Sequence, residues 1–155
     1  EGGFTPSSTE NYVTNGTNTT RIGGSNTLTA LSSIRTNPAY PDTVIYPAQI
    51  DALLVDVRYG QFQLIEGATF NATWSSLPNS TAQYATHSNV ITDGTVVFSG
   101  LCSSRDITTF GEDVKRRLQL KRNAAGTPIT LTLAVAFTQT NSDLLWQFGW
   151  EEITN

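Results

Sequence analysis

His87 is the only histidine in the chain, so any site that needs an imidazole depends on it. It lies in the polar stretch "YATHSN", and the sequence contains no G-x-S-x-G motif that would mark a hydrolase nucleophile. A zinc site would need several further Cys, His or carboxylate ligands around it. We therefore interpret His87 as an exposed loop residue, and we expect neither a metal nor a cofactor.

Neighbouring carboxylates are the other residues whose types could support catalysis. Asp51 with Asp56, and Glu151 with Glu152, are close in sequence, and paired carboxylates can act as general acid and base. Within each pair the spacing is odd, which places the two side chains on opposite faces of a strand. Neither pair can converge on one bond. Carboxylates from different strands could still meet, so catalysis is disfavoured rather than excluded, and we predict that the chain is not an enzyme.

A basic cluster spans residues 115–122. It contains five of the nine basic residues, Lys115, Arg116, Arg117, Lys121 and Arg122. Clustered basic residues can bind phosphate, but no aromatic residues alternate with these, and the whole chain carries a net charge of −4. We interpret the cluster as a solvated strand or as a charged contact with a neighbouring subunit, and we do not expect nucleic acid as a partner.

Asparagine and cysteine offer two kinds of covalent chemistry. Four N-x-S/T sequons would be glycosylation sites in a secreted protein, at Asn15, Asn18, Asn71 and Asn79. Cys102 is the only cysteine, which excludes an intrachain disulfide, and we interpret it as a small core residue.

The clearest structural pattern is the alternation of residues 128–153. Ile129, Leu131, Leu133, Val135 and Phe137 share one face, and after the turn-forming run 139–143 the alternation resumes with Leu144, Trp146, Phe148 and Trp150. This pattern predicts two strands joined as an antiparallel hairpin.

The aromatic residues of the second strand have two interpretations. If Trp146, Phe148 and Trp150 face inward, they belong to the core, and the opposite face of the strand is free for a subunit contact. If they face outward, they form an apolar stripe too large to leave in water, and Trp74, Trp146 and Trp150 become candidates for binding a ligand or a partner. Both interpretations remain open at this stage.

Shorter strand-like stretches precede this pair. They lie near residues 28–34, 51–64, 68–74 and 90–99, and residues 114–120 are read as a strand in preference to a helix. Several short strands without a long helix are typical of an all-β protein. We predict a single antiparallel β-sandwich, with a jelly roll favoured over an immunoglobulin-like arrangement.

The first 27 residues differ from the rest in being polar, glycine-punctuated and without a hydrophobic period. We predict an extended N-terminal arm over 1–27, followed by a β-sandwich domain over 28–155. An arm of this kind can become ordered on a neighbouring subunit by adding a strand to it. Phe4, Tyr12 and Val13 are the residues expected at that subunit interface.

Composition narrows the class of function. Charged residues make up 14% of the chain, where about 25% is usual, and Ser, Thr and Asn are abundant. No stretch is long and apolar enough to span a membrane. We predict a non-catalytic structural subunit of an extracellular or virion surface assembly, such as a coat, fibre or filament protein, that binds copies of itself through its arm. The alternative is a carbohydrate- or receptor-binding module; either would act outside the cell, on a cell surface or on a virion.

Overall fold

The computed structural model describes residues 8–15, 20–22, 26–54, 59–87, 89–102, 105–109 and 111–154. The elements are, in chain order, β1 (Ser8–Asn15), β2 (Thr20–Ile22), β3 (Thr29–Thr36), β4 (Val44–Leu54), β5 (Gly60–Glu66), β6 (Ala82–Thr86), β7 (Thr95–Cys102), β8 (Arg105–Thr109), α1 (Glu112–Arg117), β9 (Leu131–Phe137) and β10 (Ser142–Thr154). The prediction of an all-β protein is confirmed. Among these residues no helix is long and apolar enough to cross a membrane.

The strands form two antiparallel sheets. The first, here called the β10 sheet, has the order β1-β10-β4-β8, and β2 also pairs with β10. The second, here called the β9 sheet, has the order β6-β3-β9-β5-β7. Chain connections cross repeatedly from one sheet to the other, as from β3 to β4, from β4 to β5, from β7 to β8 and from β9 to β10.

The main hydrophobic core draws side chains from both sheets, which establishes a sandwich-like architecture. The β10 sheet contributes Ile45, Ile50, Leu144, Phe148 and Trp150, among others; the β9 sheet contributes Leu31, Ile34, Phe62, Leu64, Leu133 and Phe137. Large side chains of this kind each stabilise the fold by about 1.5–3 kcal/mol when fully buried.

The prediction of a hairpin over residues 128–153 is wrong in its pairing, although the alternation within each strand is correct. β9 and β10 lie in different sheets, so the turn between them crosses the sandwich. Their apolar faces look toward each other across the core. Alternation reveals which face a strand buries, but not the strand with which it forms hydrogen bonds.

The outer face of the β9 sheet is partly covered by the long connection between β5 and β7. Ala30, Ile65 and Ala134 form a second small cluster with Ala68 and Ile91 of that connection. The strand predicted over residues 68–74 is therefore wrong, since this stretch belongs to none of the strands and packs as a cover.

Residues 112–117 form a helix where a strand was predicted. Gly111 is its N-cap. Lys115, Arg116 and Arg117 occupy its last turn, where positive charges stabilise a helix by interacting favourably with its dipole. The alternation that suggested a strand is real only after the helix, where Leu118 and Leu120 are buried on either side of Gln119.

The N-terminal segment contributes β1 and β2 beside β10, and Ile22 is buried in the main core. Phe4 lies outside the described residues. The assignment of residues 1–27 to an arm, and of residues 28–155 to a separate sandwich domain, stays a prediction.

Candidate functional site

The three aromatic residues of β10 point into the core. Trp146, Phe148 and Trp150 are all buried and belong to the main cluster. They therefore present no exposed stripe to a ligand. The face of β10 that remains toward solvent carries Leu145 and Gln147.

Tyr12 joins β1 to this aromatic row. Its ring stacks on that of Trp150, with centroids 6.1 Å apart and planes at 22°, and its hydroxyl donates a hydrogen bond of 2.9 Å to the carbonyl oxygen of Asn79. Burial, followed by the negative charges of Glu152 and Glu10, raises the pKa of the Tyr12 hydroxyl above its ordinary value of 10.0. Tyr12 is thus the side chain that anchors β1 to the body of the molecule.

Glu152 is a buried carboxylate that connects the two sheets. Its side chain leaves the β10 sheet and accepts hydrogen bonds at the start of β6, on the edge of the β9 sheet. The donors are Ser80 Oγ, Thr81 N and Oγ1 (both 2.8 Å), Ala82 N (3.1 Å) and, on its own strand, Trp150 Nε1 (3.0 Å).

Those five hydrogen bonds use both oxygens of Glu152, and the residue is only 1% exposed. A buried charge is tolerated when it is satisfied in this way. The neighbouring carboxylate, Glu151, lies on the opposite face of the strand and pairs with Lys115 at 3.1 Å. Glu152 therefore has a positioning role in the fold and no room for a substrate.

A shallow hollow lies on the outer face of the β10 sheet, where Gly149 leaves a gap between larger side chains. Its volume is about 140 Å³, and Val13, Gln49 and Gln147 are among the residues that line it. Val13 is 52% exposed and Leu145, on the same face, is 39% exposed. This face of the sheet is the candidate subunit interface.

His87 was expected to be an exposed loop residue; it does follow the end of β6, but the prediction of exposure is wrong because its side chain is half-buried. Its Nε2 lies 2.8 Å from Ser33 Oγ, which in turn lies 2.7 Å from Thr132 Oγ1, and its ring stacks on Phe70 with centroids 4.3 Å apart. Burial lowers the pKa of His87 below its ordinary value of 6.5.

The contact between His87 and Ser33 has the spacing of a base and a nucleophile, but Ser33 and Thr132 are fully buried beneath the cover. A substrate cannot reach the Ser33 hydroxyl in this arrangement. The contacts among His87, Ser33 and Thr132 hold the β5–β7 connection against the outer face of the β9 sheet.

Trp74, the third candidate aromatic, is half-buried, and one of its faces is occupied by the chain itself. The guanidinium carbon of Arg35 lies 4.2 Å from the centroid of the Trp74 ring, and Arg35 Nε donates a hydrogen bond of 2.8 Å to Gln83 Oε1. This cation–π contact holds the ring against the β9 sheet.

The remaining predicted site residues are scattered. Asn71 and Asn79 are exposed, whereas the side chain of Asn15 and all of Asn18 lie outside the described part of the chain. The side chain of Cys102 lies outside it as well. No group of three or more potential metal ligands occurs among the described residues.

Sequence reasoning missed two features. Glu152 looks like an ordinary strand residue, and only its position two residues after the buried Trp150, in phase with the apolar face, signals that it points inward. The basic cluster was assigned to a strand, whereas its first three residues belong to α1. Of the other two, Lys121 forms an ion pair with Glu66 at 3.4 Å, and Arg122 donates a hydrogen bond to the carbonyl oxygen of Asn37.

Comparisons of the chain with protein-family models, with curated proteins and with solved structures found no match in any of the three.

Proposed function

We propose that this chain is a non-catalytic structural subunit, built on a jelly roll, of an extracellular or virion surface assembly such as a coat, fibre or filament. Contacts between copies would be made by its N-terminal segment and by the outer face of the β10 sheet. The observation that carries the proposal is the strand order described above.

The strand order supports a jelly roll because neighbouring strands are mostly distant in the chain. In the order β1-β10-β4-β8, no two strands that follow each other in the chain lie side by side. The other sheet has the order β3-β9-β5-β7, and the short strand β6 pairs with β3 at its edge. Immunoglobulin-like sandwiches instead keep sequence-adjacent strands, such as A and B or F and G, together in one sheet. Jelly rolls occur in viral capsid proteins, lectins and cupins.

The outer face of the β10 sheet favours a subunit contact over solvent. It offers Val13 and Leu145 as exposed apolar side chains, polar neighbours such as Gln147, and a hollow at Gly149 into which a partner side chain could fit. An apolar centre with a polar rim is typical of protein interfaces.

The N-terminal segment can make its contact between copies by exchange. β1 is an edge strand that is held by its pairing with β10 and by the Tyr12–Trp150 stack. The same contacts would form if β1 of one subunit lay on β10 of the next, which is the pattern of a domain-swapped assembly.

Light scattering and negative-stain electron microscopy of the purified chain test the proposal. Rings, shells or filaments support it, and a monodisperse monomer at every concentration contradicts it. Val13→Lys should reduce assembly at least about tenfold, because it places a charge in the apolar centre of the contact. Val96→Lys is the matched control, since Val96 is 51% exposed but lies on the other sheet.

A designed disulfide tests the exchange of β1. Val13 and Gly149 are partners in the register of β1 and β10, and a Cβ at position 149 would lie 3.6 Å from Val13 Cγ2. In a Cys102→Ser background, oxidised Val13→Cys/Gly149→Cys protein should run as covalent multimers on a denaturing gel if β1 is exchanged. Covalent monomers from assembled material would show that each β1 stays on its own subunit.

The alternative function is a carbohydrate- or receptor-binding module, and the positions of the three tryptophans weaken it. Trp146 and Trp150 are buried, and Trp74 is stacked against Arg35, so these rings are poorly placed to stack on a sugar.

A further inference from the structure

An open cleft lies at one end of the sandwich, between the β3–β4 connection and the residues that follow α1. Its volume is about 450 Å³, and its lining includes Thr36, Asp42, Arg116, Gln119, Lys121 and Arg122. Three of these residues are cations and one is a carboxylate. The cleft is therefore a local positive site on a chain whose net charge is −4.

The cations of the cleft are held in position by the fold. Arg122 donates hydrogen bonds to the carbonyl oxygens of Asn37 (2.9 Å) and Gly126 (3.1 Å), which fix its guanidinium while leaving its charge uncompensated by those two partners. Lys121 pairs with Glu66 at 3.4 Å. Arg116 is exposed on α1, directly beside the cleft.

Two buried leucines fix the position of residues 118–122, which follow α1. Leu118 and Leu120 are buried in the main core, and Leu120 N donates a hydrogen bond of 3.0 Å to the carbonyl oxygen of Ile45. The polar residues between and after these leucines are thereby directed away from the core. A ligand in the cleft would meet a preorganised set of donors.

Thr36 supplies an independent sign of a ligand. It lines the cleft and is only 4% exposed, yet its Oγ1 has no hydrogen-bond partner among the described residues. Buried hydroxyls are usually bonded, and those of Thr14 and Ser32 share this condition, but of the three only Thr36 lines the cleft, where a ligand oxygen can accept its hydrogen bond.

The chemistry of the lining distinguishes among anionic ligands. The carboxylate of Asp42 can accept a hydrogen bond from a sugar hydroxyl, and Gln119 and Thr43 can bond to hydroxyls as well. None of the described lining residues is aromatic, whereas proteins that bind single-stranded nucleic acid use aromatic rings to stack bases.

We propose that this cleft binds an acidic glycan, in which sulfate or carboxylate groups contact Arg116, Lys121 and Arg122 while sugar hydroxyls contact Asp42 and Gln119. This role is additional to self-assembly and does not depend on it. A subunit with both properties would attach its assembly to surfaces that carry acidic polysaccharides.

Calorimetric titration with a heparin-derived octasaccharide tests the proposal directly. Arg116→Gln should weaken binding about tenfold, the size expected when a hydrogen-bonded ionic contact is lost. Arg117→Gln is the matched control, because Arg117 is an exposed neighbour on the same helix that does not line the cleft. It should change the affinity less than about threefold, through screened long-range charge alone.

Thr36→Val tests the buried hydroxyl without changing charge, and we expect it to weaken binding about fivefold. Three results would overturn the proposal: no measurable binding of the octasaccharide, an equal loss in the Arg116 and Arg117 variants, or tighter binding of a single-stranded RNA oligonucleotide than of the octasaccharide. Each can be obtained whether or not the protein assembles, so the outcome is separate from that of the assembly tests.

Discussion

Tyr12 and Trp150 stack at 6.1 Å across the first pair of strands in the β10 sheet, and this contact ties the first described strand to the last. Because the Tyr12 hydroxyl also bonds to Asn79, one side chain connects β1, β10 and the residues just before β6. The N-terminal strand is therefore held by a specific anchor in addition to its backbone pairing.

Replacement of that anchor should destabilise the protein. Tyr12→Ala removes a half-buried ring and an aromatic pair, and we expect the free energy of unfolding to fall by about 2–3 kcal/mol. Tyr12→Phe removes only the hydroxyl and should lower it by about 1 kcal/mol. Urea unfolding provides both values. Val13→Ala, on the exposed side of the same strand, should stay within about 0.5 kcal/mol of the parent, and an equal effect of Val13→Ala and Tyr12→Ala would contradict the anchor.

Glu152→Gln should be much more damaging than its conservative chemistry suggests. The amide nitrogen would face donors that now bind a carboxylate oxygen, and we expect a loss of about 2–4 kcal/mol in unfolding free energy. Glu66→Gln is the comparison, because its ion pair with Lys121 involves a lysine side chain that is 51% exposed and should contribute at most about 1 kcal/mol. Similar losses in the two variants would mean that Glu152 does not connect the sheets.

The stability of the protein should depend on pH through His87. Burial lowers the pKa of His87 in the folded state, so between that pKa and the unfolded value near 6.5 the unfolded chain binds more protons. The contribution of neutral His87 is therefore fully present above the unfolded pKa and is lost progressively as pH falls below about 6.5. The contacts to the ring, Phe70 and the Ser33–Thr132 hydroxyl pair, include no carboxylate that would stabilise the imidazolium.

His87→Gln provides the test of that dependence. Unfolding free energies measured from pH 7.5 to pH 5 should decline in the parent and decline less in the variant, because Gln does not titrate. If the two pH profiles are parallel, the histidine does not carry the effect.

Gly100 is required by a close approach to an aromatic ring. A Cβ at this position would lie 2.4 Å from Phe62 Cζ, so Gly100→Ala must displace the ring and should cost about 1–3 kcal/mol. Gly149→Ala is the matched control, since nothing lies closer than 3.6 Å to a Cβ there. Thermal unfolding of the two variants should differ by several degrees for a chain of this size, and equal melting temperatures would contradict the steric argument.

The sequence allowed correct prediction of features set by local alternation. Leu131, Leu133, Val135 and Phe137 are buried as expected, and the inward interpretation of Trp146, Phe148 and Trp150 is the one the structure shows. Each strand must bury one face, and a period of two records which face that is. The choice of hydrogen-bonded neighbour depends on the topology of the whole chain, which explains why the hairpin prediction was wrong.

Features that depend on distant segments could not be predicted. His87 is half-buried because the β5–β7 connection folds over the β9 sheet, and the polar composition of that connection does not reveal its contacts with the sheet. The helix at Glu112–Arg117 has six residues, too few for a 3.6-residue period to stand out against alternation. The basic cleft likewise requires Thr36 and Arg122, which are far apart in sequence, to meet at one end of the fold.

The hydrogen bonds of Glu152 also have a consequence for cooperativity. The amides of Thr81 and Ala82 are loop or strand-edge amides by position, and such groups normally exchange with solvent through small local fluctuations. Here they donate hydrogen bonds to the carboxylate of Glu152, which belongs to the opposite sheet. Breaking these hydrogen bonds therefore leaves a buried carboxylate without some of its donors. We therefore expect their exchange to be linked to separation of the two sheets, so that this end of the sandwich opens as one unit.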